Sequence, residues 1–338
     1  MRPATPPLPG CPRILNNRRA FFSGGDIVAR PTLPLSAHEL SESVRQSRRF
    51  DPSRLDRVLR IDASRALVEV QAGATWKSLA ARLRPDDVRA QEVRTTRPTI
   101  GESIDWNAAG PDGRPAVAHV ESLTLVTPEG QLRRVGRISN PQLFALVVGG
   151  QGLFGVLYSV TLRLESLARA LNEAQAPLMS PEGASGRPAR MLQLLVPPQN
   201  FDRFLASARE RCAEWRIPIE NTQLRRIRQE TETFLRWAQR DYAEVGIGIC
   251  DRATIGAAVR ITQLRRELID TAIAHGGGFP IACTPEATRA QIEQCYPQIR
   301  GFLAEQRRLD PQEKLANAWL RHQRGLLVRQ PCEVRWNR

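Results

Sequence analysis

The chain has 338 residues, of which 41% are hydrophobic and 25% charged, and these are values typical of globular domains. Its length accommodates two domains with separate cores. No apolar run reaches the length of a membrane span, and the Pro-rich N-terminus lacks the apolar core of a signal peptide. The net charge of +14 comes from Arg scattered along the chain, usually beside Asp or Glu, which favours a solvated basic surface over a nucleic-acid-binding face.

The use of cysteine and histidine excludes several kinds of site. The six cysteines are widely spaced without a C-x-x-C pair, and the four histidines share no ligand spacing, so we expect no metal site. Unpaired thiols favour a reducing, cytoplasmic setting. The sequence has no G-x-S-x-G, no P-loop and no H-E-x-x-H, which leaves a hydrolase or a metalloenzyme without support.

The first predicted elements are two helices with two strands between them. Ser36, followed three residues later by Glu39, is a capping box that opens a helix. Residues 58–62 and 66–72 alternate in polarity and predict strands. Thr75 is a suitable N-cap for the second helix.

Residues 99–110 are mostly small and are bracketed by Gly101 and Gly110, so a ligand can approach the main chain closely. Residues 120–135 predict a hairpin. The turn at residues 127–130 has Pro second and Gly fourth, the preference of a type I turn.

Residues 150–155 read G-Q-G-L-F-G, which is formally the G-x-G-x-x-G motif. A dinucleotide-binding fingerprint follows a strand and opens a helix. Here a short helix with Pro141 near its first turn precedes the glycines. The residues after them alternate as a strand, with Val160 and Leu162 on one face. The motif therefore does not predict a Rossmann fold.

The second half of the sequence alternates strands with helices, behind a Pro/Gly/Ser-rich linker at residues 180–190. The predicted strands are residues 191–196, 219–227 and 242–250. The predicted helices are residues 201–215, 230–240 and 254–275, and another that opens at residues 284–286, with helical pattern to about residue 324. This order predicts an α+β domain with a helix-covered antiparallel sheet.

Four separated blocks resemble, in the same order, the FAD-binding domain of the vanillyl-alcohol oxidase family. They are residues 68–79, 99–104, 120–130 and 143–165. The resemblance implies an α+β fold in which a two-subdomain FAD-binding domain of the PCMH type is followed by an α+β substrate (cap) domain.

The predicted organisation has four parts. Residues 1–20 are a loose tail, and residues 21–167 are the FAD-binding domain, truncated in its first subdomain. Residues 168–310 are the substrate domain, and residues 311–338 are a C-terminal segment that returns to the flavin domain.

The resemblance also implies which residues contact the cofactor. They are Thr99, Gly101, Ser103, Asp105, Asn107, Gly110, Gly155, Val156 and Asn317. The sequence leaves alternatives open, because Thr99 and Ser103 also suit helix or turn capping, Gly155 an ordinary turn, and Asn317 a helix surface. His322 is a candidate general base, and the catalytic base otherwise stays open.

Two departures from the family pattern concern the cofactor. The chain has no glycine from Asp26 to Ala72, where the family carries a glycine-rich loop whose N–H groups hold the FAD pyrophosphate. Glu102 stands where the family usually has glycine, and a carboxylate beside a diphosphate is repulsive.

The activity implied by the resemblance is oxidation of a small alcohol- or sugar-like substrate by hydride transfer to FAD, which is held non-covalently. The alternative is a flavin-fold protein that has lost catalysis and acts as a binding partner, because the glycine-rich loop is missing. We expect a small-molecule partner and neither nucleic acid nor a membrane. The fold cannot supply the identity of the substrate, and the oligomeric state stays open.

Overall fold

The computed structural model describes residues 36–48, 54–83, 99–172, 190–217, 219–249 and 254–328. The predicted tail at residues 1–20 lies outside these ranges. So do nearly all of the predicted linker and residues 49–53, so the predicted loss of the glycine-rich loop is not tested by the described residues.

The first part of the described chain builds a five-stranded sheet with the order β1-β2-β5-β3-β4, in which every neighbouring pair is antiparallel. Its elements are α1 Ala37–Arg45, β1 Val58–Asp62, β2 Leu67–Gln71, α2 Trp76–Leu83, α3 Ile100–Asp105, β3 Val120–Val126, β4 Leu132–Gly136, α4 Pro141–Val147, β5 Val156–Arg163 and α5 Leu164–Asn172. The strands and the two capped helices predicted for this part are confirmed.

The hairpin and the strand after the glycine motif are confirmed in detail. The N–H of Gly130 donates to the carbonyl of Thr127 at 2.8 Å, which closes the turn between β3 and β4. Gly155 directly precedes β5 rather than a helix. A Cβ atom at Gly155 would lie 2.5 Å from Cδ1 of Leu125 and 3.1 Å from the carbonyl oxygen of Val126, so a larger residue would displace the Leu125 side chain where β5 pairs with β3.

The second part builds a three-stranded antiparallel sheet with the order β6-β8-β7. Its elements are β6 Arg190–Val196, α6 Phe201–Glu214, β7 Ile219–Ile227, β8 Tyr242–Ile249, α7 Ile255–Ala274, α8 Arg289–Cys295, α9 Ile299–Leu309 and α10 Ala318–Val328. The predicted α+β fold class is confirmed. Within the described ranges, each helix is too short or too polar to cross a bilayer.

One continuous hydrophobic core joins the two sheets. The ring of Phe302 in α9 meets the ring of Phe154, from the first part, at a centroid distance of 5.0 Å. It also meets Phe234 at 6.0 Å and Trp319 at 6.1 Å. Aromatic packing therefore holds the helices of the second part against the first sheet.

The helix predicted at residues 230–240 is wrong. Residues 228–241, which we call the strap, form an irregular loop. The carboxylate of Glu230 accepts hydrogen bonds from the N–H groups of Glu232 at 2.8 Å and Thr233 at 3.0 Å, and this turns the chain. Because this side-chain capping competes with the helical backbone pattern, the local periodicity is overridden.

The start predicted at residues 284–286 for the next helix is also wrong, whereas the helical pattern predicted to about residue 324 is present as α8, α9 and α10. The hydroxyl of Thr284 donates to the carbonyl of Pro280 at 3.0 Å, and α8 begins later, behind a capping box of Thr288 and Gln291. The sequence also failed to predict the short helices α3 and α5.

Replacing Phe302 with Ala should lower the free energy of unfolding by about 3–5 kcal/mol, because a buried aromatic ring is lost and a cavity remains. Urea unfolding measures the change. Ile138→Ala is the control, since Ile138 is 97% exposed and its loss should change stability by less than about 0.5 kcal/mol. Equal effects of the two substitutions would contradict a shared core at Phe302.

Candidate functional site

Residues 99–110, which we call the cofactor segment, contain two hydroxyl groups that have partners within the protein. The hydroxyl of Thr99 accepts a hydrogen bond from the N–H of Glu102 at 3.1 Å and thereby caps α3. The hydroxyl of Ser103 donates to the carbonyl of Thr99 at 3.0 Å and accepts from the indole N–H of Trp76 at 2.7 Å. Thr99 therefore acts as a helix cap, the alternative that the sequence left open, whereas Ser103 lies within α3 and bonds back to the preceding turn. Contact of either residue with FAD stays a prediction.

The two glycines of this segment serve close backbone packing. The N–H of Gly101 donates to the carbonyl of Ala72 at 2.7 Å, and a Cβ atom at Gly101 would lie 2.8 Å from that oxygen. The N–H of Gly110 donates to the carbonyl of Arg114 at 2.7 Å. The main chain at both positions is thus fixed by the first domain itself.

Asn107 connects the cofactor segment to the second part of the chain. It is fully buried and has a left-handed φ of 46°. Its side-chain oxygen accepts from the N–H of Val117 at 3.0 Å. Its main-chain oxygen accepts from the indole N–H of Trp237 in the strap, also at 3.0 Å. Asn107 therefore fixes the segment from both sides.

A cleft of about 260 Å³ lies between the cofactor segment and the second sheet. Its walls include Trp106, Ala108 and Ala109 from the first part, Gln193, Arg225 and Glu244 from the second sheet, and Trp237 from the strap. A concave site with flat aromatic walls and a few polar groups, placed between two parts of the fold, is typical of a small-molecule site.

The floor of the cleft contains a buried ion pair. Arg225 in β7 stands opposite Glu244 in β8. The Nε atom of Arg225 lies 2.7 Å, and its Nη2 atom 2.5 Å, from Oε2 of Glu244. The Nη1 atom of Arg225 also donates to the carbonyl of Ala109 at 3.3 Å, so this pair ties the second sheet to the cofactor segment.

Two carboxylates lie one turn apart on α3. Oε2 of Glu102 and Oδ1 of Asp105 are buried and have no hydrogen-bond partner in the described part of the chain. Burial, and secondly the charge of Glu102, raises the pKa of Asp105 to about 7. Since residues 99–110 contain neither Arg nor Lys, this segment supplies no cation of its own.

The remaining predicted site residues are Gly155, Val156, Asn317 and His322, and they differ in how they relate to the cleft. Gly155 and Val156 lie at the start of β5, which pairs with β3. The side-chain N–H of Asn317 donates to the carbonyl of Gln151, a cleft residue, at 2.8 Å. His322 is exposed on α10 and is not among the described residues that line the cleft, so its position gives no support for a general base.

The predicted site residues did not include Gln193, Arg225, Trp237 or Glu244. The available signal was the charged residues inside two predicted strands, three in residues 219–227 and Glu244 in residues 242–250. Without the strand register, however, the charges could not be matched to each other. Trp237 was assigned to a helix that does not form.

Residues 39–136 match the family described as FAD binding domain. The chain contains an FAD-binding domain. The match runs from α1 to the end of β4 and so includes α3 and the first wall of the cleft. The resemblance seen in the sequence motifs is confirmed, and FAD is the cofactor of this domain.

Individual relatives agree with the family match. The chain is 35% identical over 112 residues to L-galactono-1,4-lactone dehydrogenase 2, mitochondrial, of Oryza sativa subsp. japonica, which covers 32% of this chain and 19% of that protein. It is 29% identical over 120 residues to decaprenylphosphoryl-beta-D-ribose oxidase of Mycolicibacterium smegmatis, with coverage of 34% and 26%. The matched segment thus spans far less than two thirds of either relative.

The described residues suit the two ends of FAD differently. Ala108, Ala109 and Gly149 present little side chain to the cleft beside Trp106, which suits a flat ring. A diphosphate requires N–H donors or cations. On α3, in contrast, the carboxylates of Glu102 and Asp105 have unpartnered oxygens. The cleft therefore fits the flavin ring, whereas the charges on α3 oppose the diphosphate and predict weak, charge-sensitive binding of FAD.

Replacing Asp105 with Asn should stabilise the protein at neutral and alkaline pH. Folding raises the pKa of Asp105 from 3.8 to about 7, so wild-type stability falls as the pH rises through this interval. The uncharged variant should match the wild type below pH ~4 and exceed it by roughly 1–4 kcal/mol above pH ~7. Urea unfolding across this range measures the difference, and a difference that does not vary with pH would contradict the raised pKa.

Glu102→Gly should tighten the binding of FAD by roughly ten- to a hundredfold, and Glu102→Gln should recover part of this gain. A like charge at ~5 Å in an effective dielectric of ~20 costs about 3 kcal/mol before screening. Flavin fluorescence titration measures the dissociation constants. Glu129→Gln, an exposed carboxylate in the β3–β4 turn, is the control.

The two Glu102 variants separate charge from bulk. If Gln binds FAD like Glu and Gly alone improves affinity, the obstruction is steric. If neither substitution changes the affinity, α3 does not hold the diphosphate.

Proposed function

We propose that the protein is an FAD-dependent oxidoreductase that oxidises a small alcohol- or sugar-like substrate by hydride transfer to the flavin. The observation that carries this proposal is the cleft, because one of its walls belongs to the FAD-binding domain and the other to a separate sheet. This arrangement can hold a flavin ring on one side and a substrate on the other. The relatives named above are a lactone dehydrogenase and a ribose oxidase, and their names support a sugar-like substrate.

FAD, when bound, supplies the hydride acceptor, and the protein supplies position and surroundings. Trp106 and Trp237 cover the cleft with apolar rings, which exclude water from the substrate. The buried pair of Arg225 and Glu244 and the amide of Gln193 are the polar groups that can orient substrate hydroxyls. No general base is assigned, because His322 lies on an exposed helix surface.

The setting of this activity is part of the proposal. We propose a small-molecule substrate as the partner, with neither nucleic acid nor a membrane. Cytoplasmic localisation stays a prediction from the unpaired cysteines. The lactone dehydrogenase of Oryza sativa subsp. japonica is mitochondrial by its name.

A second candidate function is a flavin-fold protein that binds a partner without catalysis. The unpartnered carboxylate oxygens of Glu102 and Asp105 favour it, since they oppose an anionic cofactor. The lack of glycine from Asp26 to Ala72 favours it as well.

Flavin binding and flavin reduction distinguish the two functions. The oxidoreductase proposal predicts that purified protein carries FAD or takes it up to about one equivalent. It also predicts that anaerobic addition of sugar alcohols or aldonolactones bleaches the flavin absorbance band. Protein that stays colourless at saturating FAD would overturn the proposal. Protein that binds FAD but is reduced by no member of the panel would favour the non-catalytic candidate.

A further inference from the structure

The charges of the cleft cancel each other. Among the described residues that line it, Arg225 and Glu244 carry the charge, and their side chains are only 10% and 5% exposed. Both short contacts from the guanidinium end on Oε2 of the same carboxylate. A third guanidinium nitrogen is engaged by the carbonyl of Ala109. The cation is therefore already neutralised before any ligand enters.

Two polar groups in the cleft remain available to a ligand. Oε1 of Glu244 and the side-chain amide of Gln193 have no hydrogen-bond partner among the described residues. Gln193 in β6 stands opposite Gly246, which is two residues from Glu244 along β8. Alternate residues of a strand point to the same face, so these two groups lie on the cleft side together. They offer the two N–H donors of one amide group and two acceptor oxygens, which is the pattern that hydroxyl groups satisfy.

We propose that the pair of Arg225 and Glu244 makes the cleft select an uncharged, polyhydroxylated substrate and reject a carboxylate of the same size. An entering carboxylate would find the charge of Arg225 already balanced by Glu244 and would meet the like charge of that carboxylate in a poorly solvated site. A neutral polyol instead donates to Oε1 of Glu244 and bonds to the amide of Gln193. This inference deepens the proposed function and rests on the cleft as its substrate site.

The test compares sugar alcohols with the aldonates of the same carbon skeletons, led by sorbitol and gluconate. Ligand-observed NMR titration of the full-length protein gives a dissociation constant for each compound without FAD and without turnover. The wild type should bind members of the alcohol panel and bind the matching aldonates roughly tenfold or more weakly. Wild type that binds no alcohol of the panel, or binds the aldonates equally well, overturns the proposal.

Glu244→Gln is the decisive variant, because it keeps the shape of the side chain and frees the charge of Arg225. Aldonates should then bind roughly tenfold or more tightly than to the wild type. Glu214→Gln is the matched control, since Glu214 pairs with Arg211 at 2.6 Å on the exposed surface of α6, away from the cleft. It should leave the preference unchanged. A gain in aldonate binding that is equal in both variants would overturn the proposal, because it would reflect net charge alone.

If Glu244→Gln does not fold, a second variant keeps the test decisive. The double substitution Arg225→Gln with Glu244→Gln leaves no charge in the floor. This double variant should bind both aldonates and alcohols more weakly than the wild type binds its tightest ligand. If the double variant keeps the full preference for alcohols, the ion pair does not set it. None of these binding measurements uses the flavin. The proposed charge selection can therefore fail while flavin reduction succeeds, and flavin reduction can fail while charge selection succeeds.

Discussion

The cleft depends on the way in which Asn107 is held. Its left-handed backbone lets the side chain bind the N–H of Val117 while its carbonyl accepts the indole N–H of Trp237. One residue thus fixes the cofactor segment and the strap that closes the cleft. A Cβ atom at Gly149 would lie 3.2 Å from Cβ of Asn107, so glycine at position 149 leaves room for the side chain of Asn107. The walls of the site are therefore set by the protein before a ligand binds.

Charge is distributed in opposite ways on the surface and in the site. The chain carries a net charge of +14, yet its cofactor segment holds two carboxylates without a cation. The floor of the cleft holds a balanced pair, Arg225 with Glu244. Surface Arg residues are screened by solvent and attract anions weakly. Affinity for FAD and choice of substrate therefore depend on a few buried groups rather than on the net charge.

The sequence predicted the regular parts of the fold well, because alternation and capping are local signals. The strands β1, β2, β5 and β7 and the capping box of Ser36 and Glu39 are examples. The strap was predicted as a helix because the local pattern records neither the capping of its N–H groups by Glu230 nor the bond from Trp237 to the carbonyl of Asn107. The cofactor segment was recognised by family resemblance. In contrast, the pair of Arg225 and Glu244 required the strand register, which only the folded structure gives.

A crystal structure of the protein grown or soaked with FAD tests the central claim most directly. The account predicts that the flavin ring lies in the cleft against Ala108 and Ala109, with Trp237 on the side of the strap, and that Asn107 keeps its bonds. Density for FAD at another surface, or a cleft that stays without the ring when the protein is saturated with FAD, would contradict the account.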